Sequence, residues 1–375
     1  CMDTPKGFDM DKGNMKDCAL KIHRNIHRQK QAGRVWNQCL VDKLVRELKF
    51  VQSKHDECVF CRGTTMHALH TDDSTLAGPD KAEMDQMIKE MQEAKLDITV
   101  KGDLQDFLGV NIERKADGTI HLTQPHLIDQ ILKDLRLEDE NVTTKPIPAS
   151  SSKSLSWHSG SEAFYGSVDN RSVIGKCNYL AKSAGSDVAC IAHQCARFYA
   201  HPKQEHGKAL RWLGRYSKAT RDKGTTLKPN GDKDMEVFVD ADFSGNWDGA
   251  ESHNRDTARS RHGYIIMYAG CPVSWKSQLQ TEIALSSTES ECTGLSCALR
   301  DAIQTMELLK EMKKFGFPIQ STIPKMHCEA FEDNSGALEM ATTHKYRPRT
   351  KHLNVKLHHF RDCVTRGEIT AHPID

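Results

Sequence analysis

Hydrophobic and polar positions along the chain follow two different periods, and the switch between them marks the elements. Over 287–314 the apolar positions Leu295, Ala298, Leu299, Ala302, Met306, Leu309 and Met312 recur at three- and four-residue spacing. That stripe predicts a long amphipathic helix, stopped by Gly316 and Pro318. Ahead of it, 235–241 reads MEVFVDA and predicts a strand, followed by strands over 263–269 and 272–277 with Gly270 at their turn. Behind it come a strand over 325–331, a short helix over 334–341, a helix over 351–366 and a last strand over 368–372. The middle, 165–216, predicts helices, with Val173, Leu180, Ala184, Val188, Ile191, Ala192 and Cys195 on their apolar faces.

The first part of the chain mixes the two periods. A helix is predicted over 36–50, with Trp36, Leu40, Val41, Leu44 and Leu48 as core positions. A hairpin over 57–76 turns at Arg62-Gly63-Thr64 and again at His70-Thr71-Asp72-Asp73. A helix over 81–94, a hairpin over 103–124 turning at Asp117-Gly118 and a helix over 125–135 follow. The Ser-, Thr- and Pro-rich run 143–160 reads as a linker, and the turn-rich 220–234 as a boundary. The pattern predicts an α+β, mixed α/β chain in three parts: 1–145, 146–225 and 226–375.

Composition adds limits. Of 375 residues, 27% are charged and 38% hydrophobic, which suits a globular chain rather than a disordered one. The net charge of +1 supplies no global field toward nucleic acid, so any basic surface is local. Three runs qualify: 16–36 with Arg24, Lys30 and Arg34; 206–221 with Lys208, Arg211 and Arg215 beside Trp212 and Tyr216; and 340–361, free of acid, with Arg349, Lys351 and Lys356. Each can follow a phosphate backbone or serve as a solvated face. No run is long and apolar enough to predict a membrane span, and no targeting signal is visible. A first residue of Cys1 rather than Met reads as a piece of a longer product.

Candidate chemistry lies in carboxylates and cysteines. Asp240 ends a predicted strand, Glu291 opens the long helix and Asp333 follows another strand, so three acids from separate elements can meet at one end of a sheet and hold divalent metal. Each also has a structural reading: Asp240 and Asp242 as turn residues, Glu291 as partner of Thr288 in a capping box, Asp333 as a helix cap. Glu289 is the alternative to Glu291. Asp72 and Asp73 form an Asp-Asp turn able to hold Mg²⁺ against phosphates, though Asp is common in turns. The chain has 13 cysteines, and Cys58-x2-Cys61 with His67-x2-His70 loosely matches a zinc site.

The order strand–Asp, helix–Glu, strand–Asp resembles the ribonuclease H fold. The words DADFSGN, SSTESE and EDNSGA narrow the resemblance to copia-type retrotransposon polyproteins. The run KIHRNIHRQKQAGRVW with HTDD downstream, then FLG and LTQ, resembles the second half of the reverse transcriptase palm of the same family, and 165–221 its thumb and connection. The resemblance implies RNA-directed DNA synthesis coupled to two-metal cleavage of RNA in RNA–DNA hybrids, with Mg²⁺ (Mn²⁺ as a substitute). Asp240 would bridge both ions, and Glu291 and Asp333 would each hold one. It implies a virus-like particle in the cytoplasm, and the nucleus, as locations.

The sequence departs from the family in places. The family's Tyr before x-Asp-Asp is His70 here, other aromatic positions carry Cys61, His67 and Cys292, and His-x-Asp is His352-Leu353-Asn354. The family's first palm aspartate lies upstream of this chain and its fourth ribonuclease H aspartate downstream. The expectation is a degenerate chain without polymerase activity and with weak or no ribonuclease H activity. The alternatives are an inactive nucleic-acid-binding remnant and a zinc-binding interaction protein.

Overall fold

The computed structural model describes residues 2–3, 19–20, 29–149, 155–156, 162–163, 168–319, 326–343 and 351–374. Arg24 and Arg349 lie outside these. The chain forms two compact units, Cys1–Lys101 with Lys314–Phe317, and Gly102–Lys313 with Pro318–Asp375.

In the first unit β1 (Met2–Asp3) pairs with β2 (Ala19–Leu20), and α1 (Ala32–Asp42) runs into a π-helical turn, Lys43–Glu47. The strands β3 (Val51–Gln52), β4 (Val59–Arg62), β5 (Thr65–His70) and β6 (Asp73–Ala77) then form an antiparallel sheet in that order, followed by α2 (Lys81–Glu93). Asp80 caps α2, its carboxylate accepting from the N–H groups of Ala82 and Glu83. Leu44, Leu48, Phe50, Phe60, Met87 and Met91 make the core. The predicted helix over 36–50 exists, but Trp36 is 44% exposed rather than buried. The π turn carries an extra residue per turn and turns Leu44 and Leu48 inward without Trp36.

The second unit opens with β7 (Asp106–Phe107), β8 (Val110–Arg114), β9 (Ile120–Thr123) and α3 (Pro125–Asp134). The helices α4 (Asn170–Ser183), α5 (Ala189–Ala196) and α6 (Gln204–Ala219) pack with α3 around Ile131, Leu135, Val173, Leu210 and Leu213. The expected boundary over 220–234 contains a strand, β10 (Thr225–Leu227), which extends the sheet to the order β10-β9-β8-β7. Gly224 allows it: φ is +48°, and an added Cβ would sit 2.0 Å from the Leu122 carbonyl oxygen.

The rest follows the predicted pattern closely. It comprises β11 (Met235–Ala241), the short α7 (Arg255–Ala258), β12 (Arg261–Tyr268), β13 (Cys271–Leu279), α8 (Ser287–Lys314), β14 (Cys328–Glu332), α9 (Ser335–Thr342), α10 (Lys351–Thr365) and β15 (Ile369–Pro373). The sheet order is β13-β12-β11-β14-β15, antiparallel among β11, β12 and β13 and parallel from β11 to β14 to β15. Counted within this sheet the order is 3-2-1-4-5, with the long helix crossing between the third strand and the fourth: the ribonuclease H-like arrangement expected from the carboxylate order. One face of the sheet carries Val237, Val239, Ile266, Cys328 and Ala330 against Leu295, Ala298, Leu299 and Ala302 of α8, with Phe360 of α10 sealed in the same core.

Candidate metal centre

The alternation along β11 sets the first acid. Val237 and Val239 point into the core, so Asp240 falls on the opposite face, at the strand's C-terminal end. The parallel neighbour β14 is registered with Phe238 beside Phe331, and two residues further on come Asp240, in β11, and Asp333, the first residue past β14. The third acid arrives on α8. Gly294 lets that helix approach the sheet end: a Cβ there would lie 3.3 Å from Val239 Cγ1 and 3.3 Å from His262 Cβ. Glu291, nearly one turn earlier, is buried and reaches the other two. One ligand oxygen from each of Asp240, Glu291 and Asp333 lies within 4.8 Å of the others, and among the described residues no other group of His, Cys, Asp or Glu is gathered in this way.

The structure also separates Glu289 from Glu291. Glu289 works at the start of α8: its N–H donates to Ser286 Oγ at 3.1 Å, and its Oε2 accepts from the Leu285 N–H at 2.9 Å. The start of α8 is thus capped through Ser286 and Glu289, with Glu289 reaching back to Leu285, and not through Thr288 and Glu291. Glu291 keeps Oε2 buried without a hydrogen-bond partner. Similarly α9 is capped by Asn334, whose side chain accepts from the Ala337 N–H at 3.0 Å, which leaves Asp333 out of the cap. Asp242 is the turn residue, its Oδ1 accepting from the N–H groups of Arg261 and Gly245.

Sequence reasoning missed Glu332. It is fully buried, its Oε1 accepts from the Asn334 N–H at 3.2 Å, and its Oε2 has no partner. The signal was available, since Glu332 shares the parity of the core residues Cys328 and Ala330. Burial raises the pKa of Glu291, and the charges of Glu332, Asp240 and Asp333 raise it further. Burial raises Glu332 as well, with Asp333 and Asp240 adding to it. Asp240 is raised by burial and by Asp333 and Asp242. All three shifts share one cause: burial, with the neighbouring carboxylates adding to it.

The other expected sites look different. Asp72 and Asp73 lie at the β5–β6 hairpin end, where His70 pairs with Asp73 and Thr71 takes φ +55°. Asp72 is exposed, and Asp73 has Lys101 Nζ at 4.0 Å. The zinc reading fails on register: Cys61 lies opposite Met66 and His67 opposite Phe60, so Cys61 and His67 occupy opposite faces of the hairpin. Burial also lowers His67 to about 4.

Several basic positions are engaged within the fold. Arg211 donates to the Leu135 carbonyl at 2.7 Å and Lys218 to the Leu137 carbonyl at 3.2 Å, both just past the end of α3, where cations complement the helix dipole. Lys208 pairs with Glu205 at 2.7 Å, and Arg215 is half-buried. Lys356 pairs with Glu282 at 3.1 Å and lies 3.8 Å from Glu289. Lys30, Arg34 and Lys351 are exposed.

The family profile described as "Reverse transcriptase (RNA-dependent DNA polymerase)" matches residues 1–149. The chain is similar to the retrovirus-related Pol polyprotein from transposon TNT 1-94 of Nicotiana tabacum, 24% identical over 97% of this chain and 26% of that protein. It is similar to that from transposon RE1 of Arabidopsis thaliana, 27% identical over 98% of this chain and 24% of that protein. The chain belongs to the copia-type retrotransposon Pol polyproteins. It spans about a quarter of the length of these relatives. The LC11 ribonuclease H1 isolated from compost aligns over 38% of the Pol chain and 84% of its own, at 15% identity and a TM-score of 0.27. No helix among the described residues of this Pol region is long and apolar enough to cross a membrane.

Proposed function

We propose that this Pol region cleaves the RNA strand of RNA–DNA hybrids at Asp240, Glu291 and Asp333 with the help of divalent cations, Mg²⁺ by preference and Mn²⁺ as a substitute. The single observation behind the reading is the meeting of three carboxylate oxygens from β11, α8 and the end of β14 within 4.8 Å. The donor set fits a hard divalent ion, since it offers only oxygen and includes a buried carboxylate oxygen with no other partner. When bound, such ions activate water and stabilise the departing 3′-oxygen.

The protein's own residues divide the remaining work. Asp240 and Asp333 are exposed at the sheet end and face an incoming strand, while Glu291 and Glu332 lie buried behind them and deepen the negative potential. Lys351, and the neighbouring basic residues outside the described ones, supply charge for a backbone without reading sequence. Asp72 and Asp73 fall within residues 1–149, which match the reverse transcriptase family, and the reading takes them as acids of its palm rather than of the nuclease. A hybrid labelled on its RNA strand tests the nuclease reading. Cleavage in Mg²⁺ or Mn²⁺ that disappears in Asp240→Asn supports it, and cleavage indifferent to that substitution would overturn it.

A further inference from the structure

The sheet face that carries Asp240 is overlain by the turn Ser186–Val188 and by α5. Between them runs a cleft of about 430 Å³ whose walls include Asp240, Gly263, Arg261 and Lys276. Arg261 is only 8% exposed. Its Nη1 donates to His193 Nδ1 at 3.1 Å and to Ser277 Oγ at 3.2 Å. Its Nε and Nη2 have no partner. Those two N–H groups form the edge with which a guanidinium grips a phosphate through paired hydrogen bonds.

The nearby carboxylates are engaged elsewhere. Asp242 accepts backbone N–H groups, Asp256 is held by Arg197 and Arg259, and Asp187 accepts from the Tyr216 hydroxyl. Burial, helped by Arg261 and Arg197, lowers His193 to about 4, which keeps the ring neutral and able to accept from Arg261. A buried cation with two unpaired donors destabilises the fold unless an anion meets it. The position suits one kind of anion. Gly263 lies opposite Asp240, and Arg261 is two residues along β12 on the same face, roughly 7 Å away along the strand. A separation of that size is on the order of one step between neighbouring phosphates, which exceeds the ~3.4 Å axial rise because the backbone winds around the helix axis.

We propose that Arg261 is a positioning residue that grips a backbone phosphate of the strand lying across Asp240, adjacent to the linkage at the carboxylates. The assignment rests on the nuclease reading. It goes beyond that reading by fixing where the strand runs beside the carboxylates: over β12 and toward the cleft beneath α5.

The test measures hybrid binding by the full chain in Ca²⁺, with one uncharged methylphosphonate linkage walked along each strand. At one linkage near the carboxylates, wild type is expected to lose about tenfold in affinity, the size of a charged hydrogen bond. Arg261→Gln is expected to have lost that tenfold already, to ignore that linkage, and to show a salt slope smaller by about 0.9. Arg261→Lys keeps the charge and loses the fork. It carries the test if Arg261→Gln lowers the unfolding midpoint, and is expected to respond to the linkage less than wild type. A walk in which no linkage depends on residue 261 would overturn the proposal. So would inorganic phosphate competition that vanishes in Arg261→Gln alongside a flat walk, since that marks a free-anion site. Cleavage surviving Asp240→Asn sinks the nuclease reading itself, whereas a flat walk with cleavage lost in Asp240→Asn sinks only the role of Arg261.

Discussion

Two pairs of acids in this molecule look alike in sequence and differ in structure. Asp72 and Asp73 sit at the end of one hairpin, and both belong to the local turn. Asp240 and Asp333 end neighbouring parallel strands, with Glu291 delivered by a helix and Glu332 buried behind them. The hairpin gives its acids solvent or a lysine and asks nothing further of them, as turn aspartates commonly do. The sheet end holds like charges together, two of them buried with an unpartnered oxygen, and that arrangement is unfavourable without a cation. What separates the candidate metal centre from an acidic turn is thus the cost the fold accepts to build it.

That contrast can be broken most sharply by paired substitutions. Asp240→Asn is expected to lower hybrid cleavage on the order of 10⁴-fold, the scale of removing an essential acid, while Asp73→Asn leaves cleavage unchanged. Equal effects in a quenched cleavage assay would erase the distinction. The next effect is in stability. Glu291 and Glu332 have raised pKa values, so between the ordinary carboxylate range and those values the folded chain holds more protons than the unfolded one. Metal-free stability is therefore full below the ordinary range and falls as pH rises through that window. A divalent cation takes the place of the protons, so its stabilisation grows with pH and reaches about 2.7 kcal/mol at a hundred times its Kd. Thermal melts with EDTA and Mg²⁺ at pH 5 and pH 8 measure this, and a gain that is larger at pH 5 has the wrong sign.

A smaller effect distinguishes two lysines of α10. Lys351 is exposed, and Lys351→Gln is expected to reduce the salt slope of hybrid binding by about one. Lys356 is paired with Glu282, so Lys356→Gln changes the slope less and shows instead as a slightly lower unfolding midpoint. Matching slopes for the two variants would put both residues on the nucleic acid. The smallest expectation is no change at all: Cys58→Ser and His70→Asn leave the metal content of dialysed protein as it was. Stoichiometric zinc lost on either substitution would restore the hairpin as a metal site.

Much of this was legible from the pattern of residues. The stripe from Leu295 to Met306 and the alternation in MEVFVDA predict α8 and β11 within a residue, because both elements bury one face against the same core. Asp240, Glu291 and Asp333 stand out because acids close those elements. Glu332 escaped notice because an acid beside Asp333 reads as part of a turn, and only the parity of β14 shows that it faces inward. Trp36 misled for a different reason. Helical spacing assumes 3.6 residues per turn, and one π turn shifts which side chains reach the core. The engagement of Arg211 and Lys218 by carbonyls just past α3 is a long-range fact, invisible to any window of sequence. For the same reason nothing in the sequence singles out Arg261, which bonds a histidine on a distant helix.

The parallel pairing of β11 with β14 has a consequence for the life of the molecule. Strands β11, β12 and β13 close on one another through nearby antiparallel contacts, but Asp240 gains Asp333 only when the chain has passed through α8 and returned. Synthesis proceeds from the N-terminus, and a nascent chain folds what has already emerged. A ribosome-bound polypeptide that ends just before residue 333 carries the first three strands and α8, and so two of the three acids, Asp240 and Glu291, without Asp333. The group of three acids therefore closes late in translation, and a chain interrupted within α8 has Asp240 in place without the parallel strand that brings Asp333 beside it.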